Sequence, residues 1–467
     1  MLNTNTLKQY HDKTAVISSD GESYTYANLL TISSQIYSFI NHRTLVFCLS
    51  KNEIGSLSGY ISFITNKVVP LLLDASIDRQ LLDNLINTYH PEYLWLPTDQ
   101  LSEFPLGKEI FTILNYSLIK IGSESSFTLH DDLALLLTTS GSTGSPKLVR
   151  LNTQNIDANA ISIANYLSID EHERPITTLP MSYSYGLSII NSHLINGATL
   201  LLTSKTLMDR EFWAFLKNQN ATSISGVPYT YEILKKLRFF RMELPALKTL
   251  TQAGGKLNTE LNKEFSEFCQ QTNKHFVVMY GQTEATARMS YLPPQYSLTK
   301  LGSIGIAISG GEFSLIDETG STIEGNEIAG ELVYKGANVS MGYAECGEDL
   351  KKRDENRGAL ITGDLAKRDD ENFYFIVGRK KRFIKIYGNR VNLDETERLL
   401  KNIVSDCACN GEDDNLVIYI TDSSKESMVR EFLSKKTGIN IKAFSVKVIE
   451  KIPKNTSGKT IYSNLST

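Results

Sequence analysis

The sequence predicts an α/β fold: a large N-terminal domain of stacked parallel or mixed sheets with helices and a small β-barrel-like part, followed by a small α+β domain. Three observations predict it. Up to about residue 280, short apolar runs alternate with segments whose apolar residues recur at helical spacing, as in strand–helix–strand crossover units. From about residue 300, shorter β-rich pieces separated by Gly, Asp and Asn turns predict a smaller antiparallel sheet or barrel. Residues 382–467 alternate helix and strand again.

Composition excludes several classes of protein. The chain has 467 residues, of which 41% are apolar and 21% charged, values typical of a globular protein. A net charge of −4 gives no reason to expect nucleic acid or an anionic membrane as partner. No apolar run approaches the roughly 18 residues of a membrane span, and the polar N-terminus does not resemble a signal peptide. Five cysteines, an odd and sparse set, favour a reducing compartment. We therefore expect a cytoplasmic protein.

The first 130 residues contain two rounds of alternating strands and helices. Strand-like runs rich in apolar and β-branched residues are separated by segments with helical spacing. The predicted order is a strand at 14–18, a helix at 24–40, a strand at 44–50, a helix at 52–65, a strand at 68–73, a helix at 79–88 and a strand at 93–96.

A loop of Thr, Ser and Gly follows the next apolar run. Leu133–Leu137 predicts a buried strand, and the loop Thr139–Lys147 after it has many backbone N–H groups, several hydroxyls and one cation. These groups suit the phosphates of a nucleotide. The loop is not a Walker A motif, because Ser145-Pro146 precedes Lys147 and Leu148 follows it. A kinase or a GTPase is therefore disfavoured.

Beyond this loop the alternation continues to about residue 281. Thr153 is a candidate cap for a helix with an apolar stripe. That stripe consists of Ile156, Ala160, Ile163 and Leu167. Strands are predicted at 176–180, 198–203 and 275–280.

Two further segments of this half are candidate binding elements. In Tyr280–Glu284, a hydroxyl lies beside a carboxylate at the end of a strand, which suits Mg²⁺ and phosphate. Upstream, Ala253-Gly254-Gly255 would let the backbone approach a flat ring closely. Taken alone, the first could simply begin a helix and the second could be an ordinary turn.

Two further candidates lie near the C-terminus. Asp364 follows a small turn and could accept hydrogen bonds from both ribose hydroxyls, while Arg379 could add a contact to the sugar or phosphate. Lys459 lies in the polar loop PKNTSGK. Each residue alone is also compatible with a turn or a solvated charge.

The combination and order of these motifs resemble the AMP-forming adenylating enzymes. That family includes acyl- and aryl-CoA synthetases, peptide-synthetase adenylation domains and firefly luciferases. TTSGSTGSPK resembles its phosphate loop, AGGKL its adenine-flanking turn and YGQTE its adenine and magnesium motif. Its later motifs match, in order, GELVYKGANVSMGY, TGD, GRKKRFIKIYGNRV and PKNTSGK, and YTYANL resembles its N-terminal motif more weakly. The resemblance covers almost the whole chain.

The resemblance assigns the nucleotide-binding residues. Tyr280 would stack on adenine beside Gly281 and Gln282, with Gly254 and Gly255 on the flanking turn. The phosphate loop would cradle the β- and γ-phosphates of ATP through Thr139, Ser140, Gly141, Ser142, Thr143, Gly144 and Lys147.

The resemblance also assigns the residues around the reacting groups. Thr283 would contact the α-phosphate and Glu284 would hold Mg²⁺. Asp364 would bind the ribose hydroxyls with Arg379 beside it. Lys459 would bridge the attacking carboxylate and the α-phosphate, where a cation offsets the repulsion between two anions.

A hinge is implied as well. It falls on Lys381 and would divide the chain into an adenylate-forming domain, residues 1–380, and a mobile C-terminal domain, residues 381–467, that carries Lys459. Domain alternation would deliver Lys459 for adenylation and the region of Gly388 for thioester formation.

The chain departs from the family pattern in four places. Tyr183 stands where many acyl-CoA synthetases have His, and the same stretch lacks the Asp with which peptide-synthetase domains hold an α-amino group. The Trp before TGD is absent, and the C-terminal domain is shorter than usual. By position in the pattern, the acid pocket would be lined near Tyr183, Gly186, Val227, Gly254, Met279 and Ala285.

The resemblance thus implies an ATP- and Mg²⁺-dependent ligase. It would convert a small carboxylic acid to its acyl-adenylate with release of pyrophosphate, and then transfer the acyl group to a thiol, with CoA favoured as acceptor. One alternative is a stand-alone enzyme that loads an acyl or aminoacyl group onto the phosphopantetheine of an acyl carrier protein. A second alternative is a non-catalytic nucleotide-binding homologue.

Overall fold

The computed structural model describes residues 3–122, 127–138, 147–380, 382–386, 389–412, 414–437, 439–454 and 460–465. The chain divides into two compact units. The first comprises Met1–Glu312 with Lys335–Leu360, and the second comprises Phe313–Tyr334 with Ile361–Thr467. The hinge and domain boundary expected at residue 381 remain a prediction.

The elements follow the predicted alternation. Helices α1 to α11 span, in chain order, Thr4–Gln9, Tyr26–Ser38, Ile54–Thr65, Arg79–Tyr89, Thr153–Leu167, Ser184–Leu194, Arg210–Asn218, Pro228–Lys236, Thr259–Gln271, Leu393–Leu400 and Glu426–Thr437. Strands β1 to β13 span Thr14–Ser18, Ser23–Thr25, Leu45–Ser50, Val69–Asp74, Tyr93–Pro97, Lys108–Ile113, Tyr116–Lys120, Leu133–Thr138, Leu148–Asn152, Pro175–Ile176, Leu200–Leu202, Ser223–Gly226 and Thr249–Gln252. Strands β14 to β26 span His275–Tyr280, Ser290–Tyr291, Ile306–Ala307, Gly311–Ile316, Gly330–Gly336, Tyr343–Ala344, Ala359–Arg368, Tyr374–Arg379, Phe383–Ile386, Asn389–Asn392, Cys407–Glu412, Asn415–Ile420 and Phe444–Val448.

The first unit is built on two large sheets. One has nine strands in the order β16-β15-β14-β13-β12-β10-β11-β1-β2, and its central strands from β14 to β1 run parallel. The other has eight strands in the order β19-β9-β8-β4-β3-β5-β7-β6, with β8, β4, β3 and β5 parallel. Parallel strands covered on both faces need continuous apolar sequence, and all six residues of β3 are buried.

One hydrophobic core joins the two sheets through the helices between them. It contains Val16 of one sheet and Trp95 of the other, together with Tyr60 of α3 and Ile190 of α6. Helix α3 packs closely on β5 at Gly59. A Cβ at this position would lie only 2.2 Å from Nε1 of Trp95. A side chain at that position would separate the helix from the sheet.

The second unit contains three smaller sheets. Four strands form a sheet in the order β17-β18-β20-β21, strands β22 and β23 form a hairpin, and β24, β25 and β26 form a three-stranded sheet. The last sheet packs with α10 and α11 around a separate apolar cluster that includes Ile418, Leu400 and Leu433. The predicted fold class is confirmed, with the β-rich part present as this four-stranded sheet.

One predicted helix start was wrong by a residue. Helix α5 is capped by Asn152, whose side chain accepts a hydrogen bond from the backbone N–H of Asn155. The Asn155 side chain accepts in return from the N–H of Asn152, which makes a reciprocal capping box. Asn is a stronger cap than Thr, so Thr153 becomes the first helical residue.

Among the residues that the structure describes, no helix has both the length and the apolar character needed to cross a bilayer.

Arg150 fastens the segment around residues 341–355 to β9. Its buried guanidinium donates to the carbonyl oxygens of Tyr343 at 3.0 Å and Met341 at 2.9 Å, and to Oε2 of Glu355 at 2.5 Å.

We expect Arg150→Met to lower the free energy of unfolding by about 2–3 kcal/mol, because it breaks a buried hydrogen-bond network. Urea denaturation measures this change. Arg353→Met, an exposed residue of the same segment, is the control, and equal stability of the two variants would contradict the assignment.

Candidate active site

The carboxyl ends of four neighbouring parallel strands meet at one edge of the nine-stranded sheet. Strands β10, β12, β13 and β14 lie side by side there. The segments that leave them carry Tyr183, Val227, Gly254 with Gly255, and Tyr280 with Gly281 and Gln282. In open α/β sheets this edge is where ligands bind.

The first three of these segments meet around Gly254. This glycine has φ of +82°, and a Cβ there would lie 2.7 Å from the hydroxyl oxygen of Tyr183 and 3.0 Å from Cγ1 of Val227. Val227 and Met279 belong to one buried cluster, and Tyr183 packs against it. The structure therefore brings together Tyr183, Val227, Gly254 and Met279 of the predicted acid pocket.

The other two predicted pocket residues have different surroundings. Gly186 lies in the first turn of α6, where a Cβ would be 2.2 Å from the carbonyl oxygen of Pro180. Ala285 is buried outside the Val227–Met279 cluster, and its carbonyl accepts from the amide of Asn338.

Tyr183 is a neutral hydroxyl at this edge. Burial raises the pKa of its phenol, the neighbouring Tyr185 raises it further, and Arg288 acts in the opposite direction. It can therefore donate a hydrogen bond at neutral pH, where a phenol of this kind does not titrate as a histidine would.

Strand β14 ends in a sharp reversal. A Cβ at Gly281 would lie 1.6 Å from the carbonyl oxygen of Ala287, so no side chain fits there. The chain turns through a short 3₁₀ segment, Thr283–Ala285, and returns as β15 antiparallel to β14. Within the turn, Oγ1 of Thr283 lies 3.1 Å from Oγ of Ser184 at the start of α6.

Glu284 belongs to a connected set of polar groups. The hydroxyl of Tyr343 donates to its Oε1 at 2.6 Å. Burial raises the pKa of the Tyr343 phenol, and the charge of Glu284 raises it further, which keeps the donor protonated. The ammonium of Lys147 lies 5.6 Å from the centre of the Tyr343 ring and 2.5 Å from Oε1 of Glu345.

Sequence reasoning identified Glu284 and Lys147 but missed Tyr343 and Glu345. The signal for Tyr343 was present, because it is the last residue of the GELVYKGANVSMGY motif. Its role as a partner of Glu284 depends on a contact between residues 59 positions apart, which no local pattern specifies.

The predicted phosphate loop connects two paired strands. Strands β8 and β9 are antiparallel, with Thr138 opposite Leu148. Lys147 is described, whereas Thr139, Ser140, Gly141, Ser142, Thr143 and Gly144 lie outside the described residues.

In the second unit, Asp364 and Arg379 face each other across β20 and β21. Nε of Arg379 is 3.2 Å from Oδ1 of Asp364. The Asp364 side chain is buried, and the Arg379 side chain is 60% exposed. Lys381 and Lys459 lie outside the described residues.

The fold and these motifs define a family. Residues 93–344, more than half of the chain, match the sequence model of the AMP-binding enzyme family. The chain belongs to this family, and the predicted resemblance is confirmed.

Two known members of related sequence are CoA ligases. The 2-succinylbenzoate–CoA ligase of Bacillus licheniformis is 29% identical over 345 residues, which cover 72% of this chain and 70% of the relative. The peroxisomal OPC-8:0-CoA ligase 1 of Arabidopsis thaliana is 30% identical over 354 residues, which cover 72% of this chain and 64% of the relative.

Solved structures share the fold. The o-succinylbenzoate CoA synthetase (MenE) of Bacillus subtilis in complex with AMP superimposes with a TM-score of 0.81 at 22% identity, covering 99% of this chain and 98% of the other. ATP-bound MatB of Rhodopseudomonas palustris gives a TM-score of 0.77 at 20% identity, with the same coverage of both chains.

Proposed function

We propose that this chain is an ATP-dependent carboxylic acid–CoA ligase. It would convert a carboxylic acid and ATP into an acyl-adenylate and pyrophosphate, and then transfer the acyl group to the thiol of CoA. The observation that carries the proposal is the single sheet edge where the Tyr183–Gly254 contact and the Tyr280–Glu284 turn lie together, in a chain of the AMP-binding enzyme family. The relatives named above are CoA ligases, and MenE has been solved with its acyl-adenylate intermediate.

Glu284 is the proposed holder of Mg²⁺. Tyr343 fixes one carboxylate oxygen, and among the residues described none hydrogen-bonds to Oε2. A carboxylate with one oriented and one available oxygen suits a hard cation that prefers oxygen ligands. When bound, Mg²⁺ would neutralise phosphate charge. MenE has been solved with ATP and a magnesium ion.

The other nucleotide contacts are proposed from the family pattern. Tyr280 would stack on adenine with the Gly254-Gly255 turn beside it, and Thr283 would contact the α-phosphate. Lys147 would bind the outer phosphates together with the Thr139–Gly144 loop. In the second unit, Asp364 would bind the ribose hydroxyls, with Arg379 beside it.

In the first step, an oxygen of the substrate carboxylate would attack the α-phosphorus, and the bond to the bridging oxygen of pyrophosphate would break. Two anions approach each other in this step, and the cation of Lys459 would offset their repulsion where charge develops. In the second step, the thiol sulfur would attack the acyl carbon, and AMP would leave with one oxygen of the original carboxylate. Rotation about Lys381 would separate the two steps.

Acid-dependent exchange of pyrophosphate into ATP tests the first half of the proposal. We expect exchange with at least one member of a broad acid panel in the presence of Mg²⁺. ATP binding without exchange for any acid would instead identify a non-catalytic homologue.

A competition between acceptors tests the second half of the proposal, the transfer of the acyl group to CoA. Equal concentrations of CoA and a phosphopantetheinylated carrier protein should be compared as acceptors. CoA should be acylated faster, and preferential acylation of the carrier would contradict the proposed acceptor.

A further inference from the structure

Arg288 is a buried cation four residues after Glu284, the last residue of the Tyr280–Glu284 turn. Its residue exposure is 1%, and it lies two residues before the start of β15. Its backbone carbonyl is held by the amide nitrogens of Asn159 at 2.8 Å and Asn338 at 2.9 Å. These two hydrogen bonds fix the position of the Arg288 backbone.

The guanidinium of Arg288 lies among aromatic and sulfur groups. Its Nη1 donates to the hydroxyl of Tyr166 at 3.0 Å and lies 2.7 Å from Sδ of Met279. Its central carbon lies 4.6 Å from the centre of the Tyr185 ring. Its Nε is buried and has no hydrogen-bond partner in the structure.

This arrangement differs from that of every other buried charge in the part of the chain that the structure describes. Five charged side chains there are buried. Four of them have an ion-pair partner, and Arg288 has none. The four pairs are Glu92 with Lys120, Arg150 with Glu355, Glu331 with Lys380, and Asp364 with Arg379.

The comparison with Arg150 is the most direct, because it is the other fully buried arginine of the first unit. Arg150 donates to backbone carbonyls and to the carboxylate of Glu355. Arg288 has no carboxylate among its described partners. A buried charge without a counter-ion is strongly unfavourable, and the Tyr185 ring offsets only part of that cost. Residues kept at such a cost are commonly functional.

Arg288 adjoins the proposed acid pocket. Met279, which its Nη1 contacts, lies in the buried cluster with Val227, and Tyr183 packs on that cluster. The ring centres of Tyr183 and Tyr185 are 6.3 Å apart, and Arg288 lies over Tyr185. A group that enters past Tyr183 would therefore approach this cation.

We infer that Arg288 binds an anionic group of the acid substrate, a second carboxylate or an equivalent oxyanion, remote from the carboxylate that is activated. The inference rests on the proposed function for the nature of the ligand. A planar guanidinium can bind a carboxylate with two hydrogen bonds. The anionic group of the ligand would then be the ion-pair partner of Arg288. The substrate class is then acids with two anionic groups.

Matched pairs of acids test this inference in the exchange assay. The members of each pair differ only in the second anionic group. In the first pair, hexanoate is compared with adipate, in which a carboxylate takes the place of the terminal methyl group. In the second pair, 3-benzoylpropionate is compared with 2-succinylbenzoate, which carries an additional carboxylate on the ring. We expect kcat/KM of the wild-type enzyme to favour the dianion in at least one pair by roughly 10-fold or more. Arg288→Met should abolish that preference, a loss of about 10-fold or more, as expected when one partner of a buried charge pair is removed.

Two variants serve as controls. Arg288→Lys keeps the charge without the planar fork and should retain part of the preference. Arg353→Met changes an exposed arginine of the same unit and should leave the preference as it is. A wild-type enzyme that favours the dianion in neither pair, or an Arg288→Met variant with the wild-type preference, would overturn the inference.

Thermal melting without ATP separates this inference from the proposed function. In at least one of the two pairs, the dianion should raise the Tm of the wild-type protein more than its monoanionic partner, and this difference should disappear in Arg288→Met. If no acid supports exchange, the ligase proposal fails, and the difference in melting still decides whether Arg288 is an anion site. Equal shifts for the two acids in both pairs would overturn the inference.

Discussion

Glu284→Gln is expected to lower acid-dependent pyrophosphate exchange by about 10²–10³-fold, the loss typical of removing one electrostatic contact at a charged transition state. Glutamine has nearly the same shape and can still accept the hydrogen bond of Tyr343, which reaches Glu284 at 2.6 Å. It has no negative charge, however, and binds a hard cation more weakly. Exchange rates measured across a Mg²⁺ titration should reveal both a lower maximum and a higher Mg²⁺ requirement.

Glu345→Gln is the matched control. Glu345 is the other carboxylate of this polar set and pairs with Lys147 at 2.5 Å, and its side chain is 60% exposed. An exposed ion pair contributes little, so this variant should stay within a few-fold of wild type. If both variants lost the same activity, the effect would reflect a general disturbance of the set and not a metal-binding role for Glu284.

Lys459→Ala is the second variant with a large expected effect. It removes the cation proposed to lie between two anions, so pyrophosphate exchange should again fall by about 10²–10³-fold. ATP affinity should change little, because Lys459 is assigned to the reacting groups and not to nucleotide binding. Formation of acyl-CoA from chemically prepared acyl-adenylate should also persist, because in the proposed mechanism Lys459 acts before that step.

Lys454→Ala controls for the loss of any lysine near this loop. Lys454 forms an ion pair with Asp406 at 2.7 Å, so its charge already has a partner. Its replacement should leave exchange within a few-fold of wild type. Full exchange activity in Lys459→Ala would refute the assigned role.

The sequence was sufficient to predict features that depend on local pattern. Apolar runs such as Leu133–Leu137 became buried strands, and the Tyr280–Glu284 segment follows β14 as expected. Because parallel strands place their carboxyl ends at one edge, the Tyr280–Glu284 motif was expected at that edge. The structure adds that Gly254, which follows the neighbouring strand β13, lies at the same edge.

Features that depend on long-range contacts were not predicted. Tyr343 reaches Glu284 across 59 positions of sequence, and Arg150 holds the Met341 carbonyl across 191. Arg288 is a single charged residue in a short polar stretch, and nothing local distinguishes a buried arginine from an exposed one. Its isolation from carboxylates is a property of the packed structure.

The space around Gly254 was predicted only in part. Gly254 and Gly255 were expected to let the backbone approach a flat ring. The structure adds that a side chain at Gly254 would meet the hydroxyl of Tyr183. That contact depends on where the segment after β10 lies relative to β13, two strands away in the sheet order. The roles assigned to individual site residues remain predictions.

Transfer of oxygen-18 tests the acyl-adenylate intermediate most directly. The acid labelled in both carboxylate oxygens would be incubated with ATP, Mg²⁺, CoA and the enzyme, and the phosphorus products would be analysed by mass spectrometry. We predict one labelled oxygen in AMP for each acyl-CoA formed, because the carboxylate oxygen that attacks the α-phosphorus leaves with AMP. Acyl-CoA formed with unlabelled AMP, or with ADP and label in inorganic phosphate, would contradict it.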